Sequence, residues 1–245
     1  MKNLLAILLV LTPLFSLAQE NNTTDSSRFT THTFNGTRVV NFQSVEVAPA
    51  HNLEFMIQHR LGEMSAGINS FFGLDNVSSI RVGFGYSIDG RLELGAGISS
   101  VEKLLDGYIK YRWLRQTKDN SMPISLTLLG GMYCTLQTDP NAAVNGFDKY
   151  HYTWDRVSYS FMPLVARKFS DRFSAQLSPA YVHFNMVDNI TDKNEMLAMG
   201  FAGRYRFSKR MSLTLEYGLR YKSYTTQTYY NTFGLGWDIQ TDGHV

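Results

Sequence analysis

The chain has 245 residues and carries 23 Lys and Arg against 21 Asp and Glu, so its formal net charge at pH 7 is +2. A nearly neutral chain lacks the basic surface that nucleic acids require, so no nucleic-acid partner is expected. The mean hydropathy of −0.19 is too polar for a bundle of membrane helices.

The first residues have the pattern of a secretion signal. Lys2 supplies the positive start, residues 4–11 an apolar core, and residues 16–18 (Ser-Leu-Ala) a cleavage site with small residues at both ends. No second apolar run reaches about 18 residues, which excludes ordinary transmembrane helices. No cysteine directly follows the cleavage site, so a lipoprotein anchor is excluded. The expected parts are a signal peptide over 1–18, a flexible segment over 19–27 and one domain over 28–245.

Beyond residue 27 the chain is predicted to be almost entirely β-strand. Large apolar and aromatic residues alternate with small or charged ones, the period of a strand with one apolar face. Asn35-Gly36 is a strong signal for a hairpin turn. About twelve strands are expected, over 28–34, 37–47, 52–61, 80–88, 92–99, 105–115, 124–136, 157–169, 173–184, 196–207, 211–222 and 232–239.

The single cysteine, Cys134, excludes an intramolecular disulfide. It falls within the predicted strand 124–136, where we expect a packed thiol and not a nucleophile.

The clearest pair of strands is the hairpin over 196–224. Its alternation continues for about eleven residues on each side of the turn, whereas soluble strands usually have about five or six and membrane strands about nine to eleven. Pairing Phe207 with Met211 puts the apolar residues of both strands on one face, and a shift of one residue would separate them. The hairpin is therefore typical of a membrane barrel.

The connections alternate in length along the chain. Outer-membrane barrels have short periplasmic turns on one rim and longer extracellular loops on the other. Short turns are expected near 48–51, 89–91, 116–122, 170–172 and 208–210. Longer connections are expected near 62–78, 100–104, 137–154, 185–195 and 223–228.

Aromatic residues close to strand ends suit an interfacial girdle. Those residues are Tyr86, Trp113, Phe169, Phe207 and Trp237. A soluble barrel or sandwich shows the same alternation with its apolar face inward. Strand length, loop alternation and the girdle favour an all-β, antiparallel, up-and-down transmembrane β-barrel.

Four short motifs follow one another in a fixed order. They are Phe-Gly-Leu-Asp at 72–75, Asp-Gly-Tyr-Ile-Lys-Tyr-Arg at 106–112, Leu-Arg-Gln at 114–116 and Met-Pro at 122–123. Together they resemble an uncharacterised family of Gram-negative outer-membrane β-barrels over nearly all of the mature chain. The resemblance implies an outer-membrane barrel and brings no established activity. Family members continue past the equivalent of 243–245 to a final membrane strand, so this barrel is expected to lack its closing strand or strands.

Charged residues at alternate positions of the predicted strands face the lumen. They favour either a narrow pore for small polar or anionic solutes, or a lumen plugged by charges that pair across it. Arg204 and Glu216 are diagonal neighbours, close enough to pair. The candidate lumen residues are Glu54, Arg60, Arg81, Glu93, Lys110, Arg112, Arg204, Arg206, Glu216, Arg220, Lys222 and Asp238.

The longest irregular stretch, 137–154, is the candidate for binding at the loops. Loops on a rigid barrel commonly carry function, although a solvated loop above an aromatic girdle explains the same residues. The candidate binding residues are Asp139, Asp148, His151 and Trp154.

No residues stand at a catalytic or metal-binding spacing. The six histidines form no short ligand pair, and the glycines at 83–85 and 95–97 lie in strands and not at a phosphate-binding turn. His183 and Asp188 have no spacing that singles out a hydrolase. We therefore expect neither a cofactor nor enzymatic activity.

Three hypotheses remain at the level of the sequence: a channel or transporter, a plugged structural or partner-binding barrel, and, least favoured, a membrane-embedded hydrolase. The expected location is the outer membrane of a Gram-negative bacterium. The expected partners are its lipid and the barrel-insertion machinery.

Overall fold

The computed structural model describes residues 28–62, 67–75, 77–139, 150–187, 192–221 and 231–239. The predicted signal peptide and the segment 19–27 lie outside these residues, as do residues 240–245. Within them, ten antiparallel strands form one sheet in which each strand pairs with the next. The strands are β1 (Leu53–Leu61), β2 (Val77–Ser87), β3 (Leu92–Ser99), β4 (Leu104–Leu114), β5 (Ser125–Thr135), β6 (Val157–Lys168), β7 (Phe173–Phe184), β8 (Glu195–Arg206), β9 (Met211–Arg220) and β10 (Thr232–Ile239).

Within the described ranges, three short 3-10 segments accompany the sheet, at Ile68–Gly73, Val101–Lys103 and Thr153–Arg156. No helix in the described part of the chain is long and apolar enough to cross a membrane.

The sheet is curled into a half-barrel. No pairing among the described residues joins β10 back to β1. On the concave side, Thr37 donates a hydrogen bond to Glu54 of β1 at 2.6 Å, and Asn35 donates to Asp238 of β10 at 3.2 Å. Because two residues span at most about 7 Å of chain, the first and last strands are held towards each other across the concave face.

The convex face is apolar and the concave face is polar. In β9, Leu213, Leu215 and Tyr217 are 38%, 43% and 37% exposed, whereas the alternate residues Thr214 and Glu216 are 1% and 2% exposed. A soluble sandwich would bury its apolar face. The reverse arrangement is the one that lipid-facing strands require.

The hairpin of β8 and β9 has the predicted register. Arg206 pairs with Ser212 and Tyr205 with Leu213, which places Phe207 opposite Met211. Seven of the ten strands have 10–12 residues, the length of a tilted membrane strand. Both expectations from the sequence are confirmed.

The two rims differ in the length of their connections. One rim, here called the short-turn rim, carries 88–91, 115–124, 169–172 and 207–210, and the other carries 62–76, 100–103, 136–156, 185–194 and 221–231. The predicted alternation is confirmed, with 100–103 and 115–124 as the two least typical members. All five predicted girdle residues are exposed, and all lie at the short-turn rim.

Two predicted strands are wrong. Residues 28–34 and 37–47 do not join the sheet, and their only ladder contacts are single bridges, Phe29 with Thr117 and Arg38 with Gln43. The strand count of the described residues is therefore ten and not about twelve. We call residues 29–48, which lie on the concave face, the plug segment.

The plug segment has the sequence alternation of a strand, but its backbone amides have different hydrogen-bond partners from those of a strand. Its tight turn lies at residues 40–41, where Val39 donates to the Phe42 carbonyl at 2.9 Å, and not at Asn35-Gly36. Many of its remaining amides bond to side chains that point inward from the sheet. An inward side chain of the sheet can accept the hydrogen bond that the backbone of a neighbouring strand would otherwise accept. The period of the sequence is the same in both cases, so it cannot tell which partner an amide has.

Glycines on the concave face make room for large side chains. Gly85 and Gly95 are cross-strand partners, and a Cβ at Gly95 would lie 2.2 Å from the Tyr108 ring. The Tyr108 hydroxyl in turn donates to Glu93 at 2.9 Å. The glycine-rich stretches lie within strands, as predicted, and accommodate this tyrosine.

Replacing Gly95 by Ala is expected to displace the Tyr108 ring and lower the free energy of unfolding by about 1–3 kcal/mol, the usual cost of overpacking. Urea unfolding of the protein in lipid vesicles measures the change. Gly203→Ala is the matched control, because a Cβ at Gly203 meets no atom within 4 Å. Equal destabilisation by both substitutions would contradict the packing role of Gly95.

Candidate functional site

The plug segment occupies the concave face of the half-barrel. Hydrogen bonds join it to nine of the ten strands, all except β2. It also contributes to a small apolar core of buried side chains. The core residues are Phe34, Val39 and Val45 from the plug segment and Leu129, Leu164, Ala166 and Ala202 from the sheet.

The strongest attachment of the plug segment is at Glu216 in β9. Its carboxylate accepts hydrogen bonds from the successive backbone amides of Val40 at 3.1 Å, Asn41 at 2.9 Å and Phe42 at 3.0 Å. The Asn41 side-chain amide donates as well, at 2.9 Å. Successive amides that converge on one anion form a nest, and bonds to an ionised group are stronger than neutral ones. We call this arrangement the Glu216 latch.

Phe42 is seated beside the latch. Gly200 of β8 and Gly218 of β9 are cross-strand partners, and a Cβ at either would lie 3.1 or 3.0 Å from the Phe42 ring. The absence of side chains at these two positions creates the recess that receives the ring. The turn of the plug segment is thus held by both charge and shape.

Side chains of three further strands satisfy the following stretch of plug backbone. Gln176 of β7 accepts from the Val45 amide at 2.7 Å and donates to the Gln43 carbonyl at 2.8 Å. Thr127 of β5 donates to the Val45 carbonyl at 2.7 Å. Glu93 of β3 accepts from the Ala48 amide at 3.1 Å. These bonds replace the ladder that a strand would have made.

Cationic side chains of the inner wall bind plug carbonyls. The Lys110 ammonium donates to Thr37 at 3.1 Å, the Arg112 guanidinium to Val47 at 2.9 Å, the Arg204 guanidinium to His32 at 2.6 Å and the Lys168 ammonium to Thr31 at 2.9 Å. Arg112 also pairs with Glu46 at 3.3 Å. Wall anions therefore accept from plug amides, and wall cations donate to plug carbonyls.

Arg38 of the plug segment is buried without a carboxylate of its own. Burial among protein atoms, with the nearby charge of Arg81 as a smaller cause, lowers its pKa from the ordinary value. Its guanidinium lies over the Tyr108 ring at 5.9 Å, a cation–π contact that partly offsets the loss of water.

Most of the predicted lumen residues hold the plug segment. Those that bond to it are Glu54, Glu93, Lys110, Arg112, Arg204, Glu216 and Asp238. Arg81 pairs instead with Asp106 of β4. Arg206 and Arg220 are half-buried and Arg60 is exposed at the end of β1. Lys222 lies outside the described residues.

Arg204 and Glu216 are diagonal neighbours, as predicted, but these two described side chains form no ion pair with each other. Glu216 is the cross-strand partner of Ala202, and Arg204 that of Thr214, so the two are diagonal neighbours. Glu216 is taken by the plug amides, and Arg204 donates to Ser212 and His32. The plug residues that bond to Glu216 and Arg204 belong to a segment that the sequence predicted to be strands of the barrel wall.

Sequence reasoning missed several residues of the site, among them Glu46, Asp106, Thr127, Lys168 and Gln176. Gln176 alternates with Ser174 and Ser178, which are all buried, so its inward position was visible in the period of the strand. Glu46 could not be identified, because the segment that carries it was predicted to be a strand.

The loop candidates differ in burial. Asp139 is 6% exposed, whereas Trp154 is 70% exposed and His151 is also exposed. Asp148 lies outside the described residues. The two ends of the loop are joined by Arg156, which donates to the Gln137 carbonyl at 2.6 Å.

His183, considered for a hydrolase, lies in β7. Its ring stacks on Tyr159 at 4.9 Å between centroids, and its Nδ1 lies 3.7 Å from a Glu195 carboxylate oxygen. Asp188 lies outside the described residues. Across the described ranges, no three His, Cys, Asp or Glu side chains are grouped to hold a metal ion.

Replacing Glu216 by Ala is expected to release the amides of residues 40–42. Hydrogen bonds to charged groups contribute about 1.5–3 kcal/mol, so hydrogen exchange at these amides should become about ten- to a hundredfold faster. Exchange measured by mass spectrometry on peptides from the plug segment gives the rate. Glu195→Ala, which removes an exposed carboxylate from the end of β8, is the control, and unchanged exchange in the Glu216 variant would disprove the latch.

Comparison with known proteins places this architecture in a family. The sequence profile of the family described as Membrane bound beta barrel domain (DUF5777) matches residues 34–245. The match covers all ten strands and the plug segment from Phe34 onward. A search of curated proteins found no match. The chain belongs to this family of membrane-bound β-barrel domains, whose function is unknown.

Proposed function

We propose that the protein is an outer-membrane barrel of a Gram-negative bacterium, closed at rest by its own plug segment. In this role it is a structural or partner-binding barrel that acts through its rims and loops, and it needs no catalysis. Membrane lipid surrounds its convex face, and the barrel-insertion machinery delivers it. The Glu216 latch is the observation that carries the proposal.

The latch supports a closed lumen because it fixes the plug segment by its backbone. Three successive amides and one side-chain amide share a carboxylate that is 2% exposed. Withdrawing the plug segment would break all of these bonds at once, and a hydrogen bond to a charged group contributes about 1.5–3 kcal/mol. The resting state is therefore the plugged one.

An open pore for anions has weaker support. Such a pore needs wall cations that are free to meet a solute, yet Lys110, Arg112 and Arg204 already donate to plug carbonyls. Arg81, the next wall cation, is paired with Asp106. These contacts satisfy the positive charges that suggested anion preference in the sequence.

A gated channel is the second candidate, and the polarity of the plug contacts favours it. Apart from Phe34, Val39 and Val45 in the apolar core and the Phe42 ring in its glycine recess, the plug segment is attached mainly through hydrogen bonds to polar side chains. Water can replace such bonds when the plug segment leaves, whereas it could not replace a large apolar interface. Displacing the plug would then expose the wall cations.

Planar-bilayer conductance of the refolded full chain tests the two candidates. The closed barrel predicts no steady current from the natural protein. A variant that lacks residues 29–48 is expected to conduct, because the deletion removes the segment that fills the concave face. Heat-dependent gel migration checks that each variant has folded before its current is interpreted.

Glu216→Ala then separates a fixed plug from a gate. A silent bilayer with this variant supports the closed barrel, and openings that are absent from the Glu195→Ala control support the gated channel. Steady, salt-dependent current from the natural protein would overturn the closed barrel.

Export through a cleaved signal peptide is part of the same proposal. Cleavage after Ala18 leaves residues 29–48 on the mature chain, so processing does not remove the plug segment. We expect protein isolated from the outer-membrane fraction to begin at Gln19, which N-terminal sequencing measures. A mature chain that begins beyond residue 48, or recovery from a soluble fraction, would contradict the proposal.

A further inference from the structure

An arginine-rich cavity opens at the short-turn rim, between the connections 88–91 and 115–124. It measures about 450 Å³ and has ten lining residues, four of which are arginines and none of which is Asp or Glu. The volume lies in the range of small-molecule sites. We call it the arginine pocket, and its arginines are Arg28, Arg91, Arg112 and Arg115.

Three of these guanidiniums have no carboxylate partner in the described part of the chain. Among its ion pairs, Arg112 is bound to Glu46, whereas Arg28, Arg91 and Arg115 are in none. A cluster of like charges repels itself unless an anion lies among them. The cluster of arginines is therefore suited to binding an anion.

The carboxylates closest in sequence to the pocket are committed to their own turns. Asp89 accepts from the amides of Arg91 at 2.8 Å and Leu92 at 2.7 Å. Asp119 accepts from the amide of Ser121 at 3.2 Å and from its hydroxyl at 2.9 Å. Each is therefore engaged in shaping the turn that carries it.

The Phe29 ring contacts two of the arginines. The guanidinium carbons of Arg115 and Arg28 lie 4.5 and 6.0 Å from the centroid of its ring. Phe29 is itself fixed by its bridge to Thr117, which also lines the pocket. Cation–π contact restrains a guanidinium, and a planar guanidinium is suited to bidentate contacts with phosphate oxygens.

The pocket lies at the level where a membrane presents its headgroups. Trp113, another lining residue, is 55% exposed and belongs to the aromatic girdle of the short-turn rim. Tryptophan at strand ends marks the boundary between hydrocarbon and headgroups. A lipid phosphate group at that depth would lie close to the guanidiniums of the pocket.

We propose that the arginine pocket binds a phosphate group. That group can be the headgroup of a phospholipid or a free phosphate, because both present the same oxygens to the guanidiniums. The site is expected with the plug segment in place, because Phe29 belongs to both.

Native mass spectrometry of the folded full chain, released from detergent micelles, tests the proposal. One sample contains dioleoyl phosphatidylglycerol, a second contains the corresponding diacylglycerol, which lacks phosphate, and a third contains inorganic phosphate alone. We expect a phosphatidylglycerol adduct on the natural protein, and about tenfold weaker binding for the double variant Arg91→Gln and Arg115→Gln, because two charge-assisted contacts are lost.

Arg172→Gln with Lys209→Gln is the matched control, since both residues are exposed in turns of the same rim and neither lines the pocket. If the first double variant fails to fold, Arg91→Gln alone takes its place. Inorganic phosphate is then added to the phosphatidylglycerol sample. Displacement of the lipid identifies the phosphate group itself as sufficient, and resistance to displacement identifies the lipid headgroup as the source. Equal binding of diacylglycerol, or equal loss in variant and control, would overturn the site.

Discussion

Charges on the inner wall of the half-barrel must find partners, and the backbone of the plug segment supplies them. Glu216 and Glu93 accept from plug amides, while Lys110 and Arg204 donate to plug carbonyls. Leaving any of these charges buried and alone would cost several kcal/mol. The sheet and the plug segment therefore stabilise each other. Wall side chains make the hydrogen bonds that a neighbouring strand would make to the plug backbone, and the plug backbone supplies partners for the buried charges of the wall.

This mutual dependence changes the functional interpretation of the polar inner face. Most inward charges that suggest a conduction path in an open barrel are here attachment points for particular groups of the plug segment. The glycines have a similar role, since Gly200 and Gly218 form a recess for Phe42. The plug segment is thus recognised by charge and by shape, which distinguishes it from a loop that merely lies inside a barrel.

The convex face and the short-turn rim follow a different constraint, set by the membrane. Apolar residues such as Leu215 and Tyr217 are exposed along the strands, and aromatic residues mark the rim. Phe207 and Trp237 meet edge to face there, at 5.5 Å. The arginine pocket lies at the same rim, beside Trp113. Charge is thus placed where lipid headgroups meet water, and apolar area where hydrocarbon lies.

The sequence by itself determined the ten strands of the sheet and which residues of each strand share its apolar face. Period-two alternation and the turn between Phe207 and Met211 suffice for that, because successive side chains of a strand point to opposite faces of the sheet. The partners of Glu216 and the course of residues 29–48 were decided only by the tertiary structure. An amide that bonds to a distant carboxylate leaves the same local pattern as one that bonds to a neighbouring strand, and residues 40–42 and 216 are brought together only when the sheet curls.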